Sequence, residues 1–156
     1  MVLVEPEIPP NTGNVARLCA ATTSPLHLVG PLGFRIDDHA VKRAGLDYWP
    51  LVDLRRHLDF AHFEHAFSRE PPDGLPRRRW LFSAHATQSF FDVEVSAGDA
   101  LVFGRESVGL PKDLTAARPA DVVAIPTSGD VRSHNLANAA AIAIYEALRK
   151  VGALRV

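Results

Sequence analysis

The chain has 156 residues, of which 47% are hydrophobic and 22% are charged, a balance typical of a folded globular protein that excludes intrinsic disorder. Its net charge of −1 gives no indication of nucleic-acid binding, which would need a local basic cluster. The single cysteine, Cys19, excludes an intrachain disulfide, and the chain has neither a leader-like start nor an apolar run of transmembrane length, so we expect a cytoplasmic protein without a membrane segment.

The first half of the chain alternates short apolar runs with amphipathic stretches. Residues 2–4 have the composition of a buried strand, and the proline-rich segment after them ends regular structure. The residues 11–14 open a helix whose apolar positions follow the i, i+3, i+4, i+7 spacing. The pattern then predicts a strand at 26–29, a helix at 38–44, a strand at 48–52 and an amphipathic helix at 53–67.

The second half continues the alternation after a loop at 68–78 that is rich in Pro, Gly and charge. Strands are predicted at 80–84, 100–103 and 122–125, a short helix at 111–118 and a final helix at 134–151. Strands alternating with helices over the whole length predict an α/β fold. We therefore expect one domain, residues 1–156, with a mainly parallel sheet flanked by helices.

Three polar loops follow predicted strands, at 9–17, 103–111 and 125–138. In open α/β sheets, ligands bind beyond the carboxyl ends of the strands, so these loops are the candidate site. Each also has an ordinary structural explanation. Ser133 and Asn135 are both plausible caps of the last helix, and the second loop lacks both the dinucleotide fingerprint and the Lys-Ser/Thr ending of a P-loop. Taken singly, the loops leave the function open.

Taken together, the loops resemble the signature motifs of the SPOUT superfamily, the knotted RNA methyltransferases. The similarity lies in residues 5–14 with Arg17, in Phe103-Gly104-x-Glu106-x-x-Gly109-Leu110, and in Ile125-Pro126 with Arg132-Ser133-x-Asn135-Leu136-x-Asn138. Residues 43–48 fit the same group. The resemblance covers nearly the full chain and points to the small bacterial enzymes that methylate the ribose 2′-hydroxyl of the wobble nucleotide of tRNA.

The resemblance implies a C-terminal trefoil knot, S-adenosyl-L-methionine as cofactor, the tRNA anticodon loop as partner, a homodimer that completes the active site, and no metal. The methyl group would go to position 34, a cytidine or a modified uridine. The implied cofactor-binding residues are Ser83, Gly104, Glu106, Gly109, Leu110, Ile125, Ser133, Leu136 and Asn138. Ile125 and Leu110 would supply apolar walls for the adenine, and loop amides would supply hydrogen bonds.

Arg17, Ser133 and Asn135 are the catalytic residues that the resemblance implies. In relatives, the arginine that matches Arg17 has been assigned the deprotonation of the 2′-hydroxyl. A guanidinium is a poor general base because it keeps its proton at physiological pH. We therefore favour a positioning role, in which Arg17 holds the ribose or an adjacent phosphate. Base catalysis stays open if burial favours deprotonation, and a solvated helix arginine is the structural alternative.

The residues expected to contact RNA are Asn11, Asn14, Arg132, Tyr145, Arg77, Arg78 and Arg79. A run of three arginines is more often a solvated loop, and Tyr145 has dimer or core packing as its alternative. His57, His62 and His65, on one predicted helix, lack the spacing of metal ligands. Two alternatives for function stay open: 2′-O-methylation at another tRNA or rRNA position, and a non-catalytic RNA-binding protein of the same fold.

Overall fold

A six-stranded parallel sheet forms the centre of the computed structural model, which describes residues 1–34, 48–68, 76–131 and 133–154. The strands are β1 (Val2–Val4), β2 (Leu26–Val29), β3 (Leu54–His57), β4 (Arg79–Phe82), β5 (Ala100–Phe103) and β6 (Val122–Val123). Their order across the sheet is β3-β2-β1-β5-β4-β6, and every neighbouring pair is parallel. The carboxyl ends of all six strands therefore lie along one edge, as the predicted α/β fold requires.

Helices cover both faces of this sheet. They are α1 (Pro9–Ala21), α2 (Phe60–Ser68), α3 (Lys112–Ala117) and α4 (Leu136–Lys150). Side chains alternate along β1, so Leu3 enters one apolar cluster with residues of α1 and α4, while Val2 and Val4 enter a second cluster with Phe63 of α2. Burial on both faces explains why the central strands are continuous apolar runs.

The predictions for residues 48–67 are wrong in their boundaries. A single turn of 3-10 helix, Trp49–Leu51, replaces the predicted strand at 48–52, and the strand β3 begins only at Leu54. Pro50 lacks the N–H that a strand ladder needs, whereas β3 pairs in register with β2. The helix predicted from Asp53 begins only after Asp59, whose Oδ1 accepts a hydrogen bond from the backbone N–H of His62.

The other predicted elements agree with the structure within a few residues. The strand predictions at 26–29 and 100–103 are confirmed, and the last helix is capped by Asn135. Cys19 is buried, as expected of a small core residue, and burial raises the pKa of its thiol to about 11. The predicted helix at 38–44 lies outside the described residues. Within the described ranges, no helix has the length and apolar character to cross a membrane.

Candidate active site

Glu106, in the loop after β5, holds the loop after β1. Its Oε2 accepts a hydrogen bond from the backbone N–H of Glu7 at 2.8 Å. Its Oε1 accepts from the backbone N–H of Ile8 at 3.3 Å and from the side-chain Nδ2 of Asn11 at 3.1 Å. Because β1 and β5 are neighbours in the sheet, their loops leave the same edge side by side. One carboxylate therefore ties the second candidate loop to the start of α1.

A second set of contacts ties the same two loops in the opposite direction. The Glu7 carboxylate accepts hydrogen bonds from the backbone N–H and the hydroxyl of Ser107, both at 3.0 Å. Arg105 forms an ion pair with Glu5, which has a positive φ of 50°. Each loop thus supplies a carboxylate to the other, and the two loops act as one unit.

Asn11 extends this unit to the third loop. Its side chain is buried, and its Oδ1 accepts a hydrogen bond from Nδ2 of Asn135 at 3.0 Å. Asn135 in turn caps α4, because its Oδ1 accepts from the backbone N–H groups of Ala137 and Asn138. We call the hydrogen-bonded series of side chains Glu106, Asn11 and Asn135 the loop relay. It joins the three loops that the sequence singled out, although their residues lie up to 124 positions apart.

The two glycines of the second loop are needed by the loop itself. Backbone hydrogen bonds in both directions between Arg105 and Gly109 close the loop. A Cβ on Gly104 would lie 2.2 Å from the carbonyl carbon of Gly109, and Gly109 has a positive φ of 76°. Gly104 therefore allows the close approach of the loop to its own backbone, and its contact with the cofactor stays a prediction.

Substituting Gly104 by alanine is expected to destabilise the protein by about 2 kcal/mol, because the added Cβ meets backbone that has no alternative rotamer. Thermal unfolding measures the effect, and calorimetry with S-adenosylhomocysteine should show weaker binding. Gly129→Ala is the matched control, since its added Cβ meets no atom within 4 Å in the described part of the chain. Equal melting temperatures for the two variants would contradict this explanation.

Two of the remaining predicted cofactor residues, Ser83 and Ile125, follow β4 and β6 at their carboxyl ends, and Leu136 begins α4. Ser83 donates its backbone N–H to the Val123 carbonyl, and Ile125 and Leu136 are partly buried hydrophobics against the first apolar cluster. Half-exposed apolar side chains beside exposed loop backbone suit an adenosine group. Leu110 differs from the prediction, because its side chain is buried in the second cluster with Val4. Contact between Leu110 and the cofactor stays a prediction.

Arg17 and Asn14 are exposed on α1. The guanidinium carbon of Arg17 lies 5.5 Å from the ring centroid of Tyr48, whose hydroxyl donates to the Gly13 carbonyl at 3.0 Å. Both roles of Arg17, positioning and base catalysis, stay predictions. Ser133 and Asn138 are also exposed, near the relay, and Arg132 lies outside the described residues.

The structure separates Arg77, Arg78 and Arg79 from the three loops. Arg79 is the first residue of β4, so the run lies at the amino edge of the sheet, opposite the relay. The Arg79 guanidinium is held by the Glu64 carboxylate at 2.9 Å, and Arg78 packs over the Trp80 ring. A tRNA bound at the carboxyl edge would have to extend across the molecule to reach them. As RNA contacts, these arginines stay a prediction, as does Tyr145, which is half-exposed on α4.

A buried histidine pair escaped the sequence analysis. His27 Nδ1 and His57 Nε2 are 2.9 Å apart, and the rings stack at 5.1 Å. Burial first, then the nearby N-terminal ammonium and His57, lower the pKa of His27 from 6.5 to about 3. The prediction that His57 lies on a helix is wrong. His57 is the last residue of β3, and its partner His27 lies on the neighbouring strand β2. Among the described residues, no group of three or more His, Cys, Asp or Glu side chains forms a metal site.

The histidine pair predicts acid destabilisation. Between pH 6.5 and 3 the unfolded chain binds a proton at His27 that the folded protein excludes, so the free energy of unfolding falls as pH falls. The slope is at most about 1.4 kcal/mol per pH unit. Urea unfolding across this pH range should show a flatter dependence for His27→Gln than for the wild type. The exposed His65→Gln should keep the wild-type slope, and identical slopes in all three would contradict the assignment.

The comparisons with known proteins agree with this architecture. A model of the SpoU rRNA Methylase family matches residues 1–145. A tRNA (cytidine(34)-2'-O)-methyltransferase from Burkholderia cenocepacia is 46% identical over 153 residues, covering 97% of this chain and 95% of the relative. A solved structure from work on "the 2-OH methylation of C/U34 on tRNA" is 48% identical, with a TM-score of 0.85 over 96% of this chain and 93% of that one.

A more distant structure shares the fold alone. It is the SpoU methyltransferase AviRb from Streptomyces viridochromogenes in complex with the cofactor AdoMet, at 23% identity and a TM-score of 0.80 over 95% of this chain and 58% of that one. The family match and the near full-length relatives, together with the sheet and its three joined loops, lead to one conclusion. The chain belongs to the SpoU rRNA Methylase family.

Proposed function

We propose that this protein is a tRNA ribose 2′-O-methyltransferase that transfers a methyl group from S-adenosyl-L-methionine to the wobble nucleotide, position 34. The observation that carries the proposal is 46% identity over nearly the whole chain to a tRNA (cytidine(34)-2'-O)-methyltransferase. The loop relay supports the proposal, because its hydrogen bonds hold the three candidate loops together at the carboxyl edge of the sheet. We take residues 1–156 as one methyltransferase domain that meets its tRNA in the cytoplasm.

The cofactor would lie against Ile125 and Leu136, with the backbone of residues 83–86 and 104–110 supplying hydrogen bonds. When bound, S-adenosylmethionine supplies an electrophilic methyl group on a sulfonium, so the reaction needs no metal. The chain has to hold the attacking ribose oxygen in line with that group, and proximity of this kind contributes much of the rate. Arg17 would bind the ribose or an adjacent phosphate, and Asn135 and Ser133 would fix the neighbouring loop.

The proposal includes a homodimer in which Arg17 serves the cofactor of the partner subunit. Arg17 lies six residues beyond Asn11, about 9 Å further along α1, and its side chain is exposed. Tyr145 on α4 is 49% exposed and Ile8, the residue before α1, is 44% exposed, and α1 packs against α4. A second copy covering this face would bring the exposed Arg17 of one subunit to the cofactor site of the other.

Mixing two inactive variants tests the shared site. At a cofactor concentration too low to saturate Gly104→Ala, Arg17→Ala and Gly104→Ala homodimers should each be nearly inactive, while random exchange of subunits should restore about a quarter of the wild-type activity, because half the dimers then carry one intact site. Sedimentation of each variant confirms that it still dimerises. A mixture as inactive as its components would place Arg17 with the cofactor of its own subunit.

The proposal also includes the trefoil knot. β6 lies at the sheet edge beside β4, whereas α4 packs against α1 and β5, so residues 124–135 have to return along the carboxyl edge. On the way, Ala124 exchanges backbone hydrogen bonds with the 88–90 segment, and Asn135 meets Asn11. A chain that threads beneath the 83–89 loop would follow this path.

Mapping 2′-O-methylation in unmodified total tRNA, treated with the protein and labelled cofactor, tests the reaction and its position. The expected result is label at the ribose of nucleotide 34. Label elsewhere in tRNA, or label only in a parallel reaction with rRNA, would establish methyl transfer but overturn the position. Binding of S-adenosylhomocysteine without any labelled RNA would favour a non-catalytic RNA-binding protein.

A further inference from the structure

Tyr48 contacts α1 at two points. Its hydroxyl donates a hydrogen bond to the Gly13 carbonyl oxygen at 3.0 Å. Its ring faces the guanidinium of Arg17, whose central carbon lies 5.5 Å from the ring centroid. Gly13 and Arg17 are four residues apart, so they lie on one face of the helix. The hydroxyl contact therefore fixes the ring against the same helix face that carries the arginine.

The contact restricts an otherwise mobile side chain. An exposed arginine samples many rotamers, and holding it for reaction costs conformational entropy. An aromatic ring attracts a cation over its face within about 6 Å, so Tyr48 selects the conformers of Arg17 that lie above it. Because the Gly13 contact fixes the ring, this preference is built into the protein before any substrate binds.

We propose that Tyr48 is a positioning residue for the methyl transfer, which holds the Arg17 guanidinium in the orientation that contacts the ribose or the adjacent phosphate. The inference rests on the proposed function, in which Arg17 has that task. Tyr48 acts only through Arg17 and touches no reacting atom itself.

The chemistry of the contact suits this purpose better than an ion pair would. A carboxylate could also fix the guanidinium, but it would occupy two of the N–H donors and neutralise the charge that attracts phosphate. Contact through a ring face uses none of the five donors. Arg17 therefore keeps its whole hydrogen-bonding edge and its charge for the substrate.

Two substitutions of Tyr48 separate the contribution of its ring to the methylation rate from the contribution of its hydroxyl. Tyr48→Leu removes the ring, and we expect kcat for tRNA methylation to fall about fivefold to tenfold with the KM for cofactor unchanged. Tyr48→Phe keeps the ring and should stay within about threefold of wild type. In an Arg17→Ala background, Tyr48→Leu should cause no further loss. Leu51→Ala, at the neighbouring exposed Leu51, is the control for the segment and should leave kcat unchanged.

A spectroscopic readout keeps the test independent of catalysis and of the proposed function. The Arg17 Nε–Hε resonance should carry a ring-current shift in the wild type and in Tyr48→Phe that disappears in Tyr48→Leu. If the wild type methylates no tRNA, the proposed function fails, but the resonance still decides whether Tyr48 holds Arg17. An unshifted resonance, an unchanged kcat in Tyr48→Leu, or equal losses in the Phe and Leu variants would each overturn the inference.

Discussion

Arg17→Ala is expected to lower the rate of tRNA methylation by at least about 100-fold while cofactor affinity stays within about twofold of wild type. The structural reason is the location of the side chain. Arg17 is exposed on α1, six residues beyond Asn11, and its guanidinium lies over the Tyr48 ring. Its loss should therefore remove the group that holds the RNA and leave the nucleoside pocket intact. Single-turnover methylation and calorimetry with S-adenosylhomocysteine measure the two effects separately.

Two further arginine variants sharpen this expectation. Arg17→Lys keeps the charge but loses the planar fork of donors, so it should recover only part of the activity. Arg56→Ala removes another exposed arginine from the edge strand β3, and methylation should match the wild type. Loss of cofactor binding in Arg17→Ala would place the arginine against the cofactor and contradict a role confined to the RNA.

Local patterns predicted the elements of this fold well where one strong signal dominated. Residues 100–103 are a continuous apolar run between breakers, and Asn135 has the chemistry of a helix cap; both predictions are confirmed. The region 48–67 failed because Leu54 and Leu58 have helical spacing although Leu58 is 82% exposed. Residues 54–57 form a strand because they pair with β2, and a local sequence pattern does not indicate which strand a segment will pair with.

The candidate site shows the same limit more clearly. The pattern of strands and loops predicts that Glu106, Asn11 and Asn135 lie in three loops at one edge of the sheet. The family resemblance implies a cofactor contact for Glu106 and an RNA contact for Asn11, and neither points to the hydrogen bonds among the three residues. Their mutual contacts depend on β1 lying beside β5 and on α4 returning to α1. The His27–His57 pair depends likewise on β2 lying beside β3. The order of the strands depends on contacts between distant parts of the chain. A sequence can therefore indicate which residues belong to a site without indicating which of them form hydrogen bonds with one another.

Glu106→Gln tests the loop relay, and we expect it to lower the free energy of unfolding by about 2 kcal/mol and to weaken cofactor binding about tenfold. Both carboxylate oxygens accept hydrogen bonds, from Glu7 and Ile8 amides and from Asn11 Nδ2. An amide has one acceptor, so its NH2 group must face a donor. The cofactor effect follows because Asn11 holds Asn135, and Asn135 holds the start of α4 beside Leu136.

Asn11→Asp supplies the matching half of a double-mutant cycle. Alone, it sets a second carboxylate against Glu106 and should destabilise the protein by about as much. Combined with Glu106→Gln, the new aspartate accepts from the glutamine NH2 and still accepts from Asn135 Nδ2, while the glutamine oxygen accepts from Glu7. The double variant should therefore recover at least about 1 kcal/mol relative to the sum of the single losses. Strict additivity would mean that Glu106 and Asn11 act separately, and the three loops would then owe their arrangement to the sheet alone.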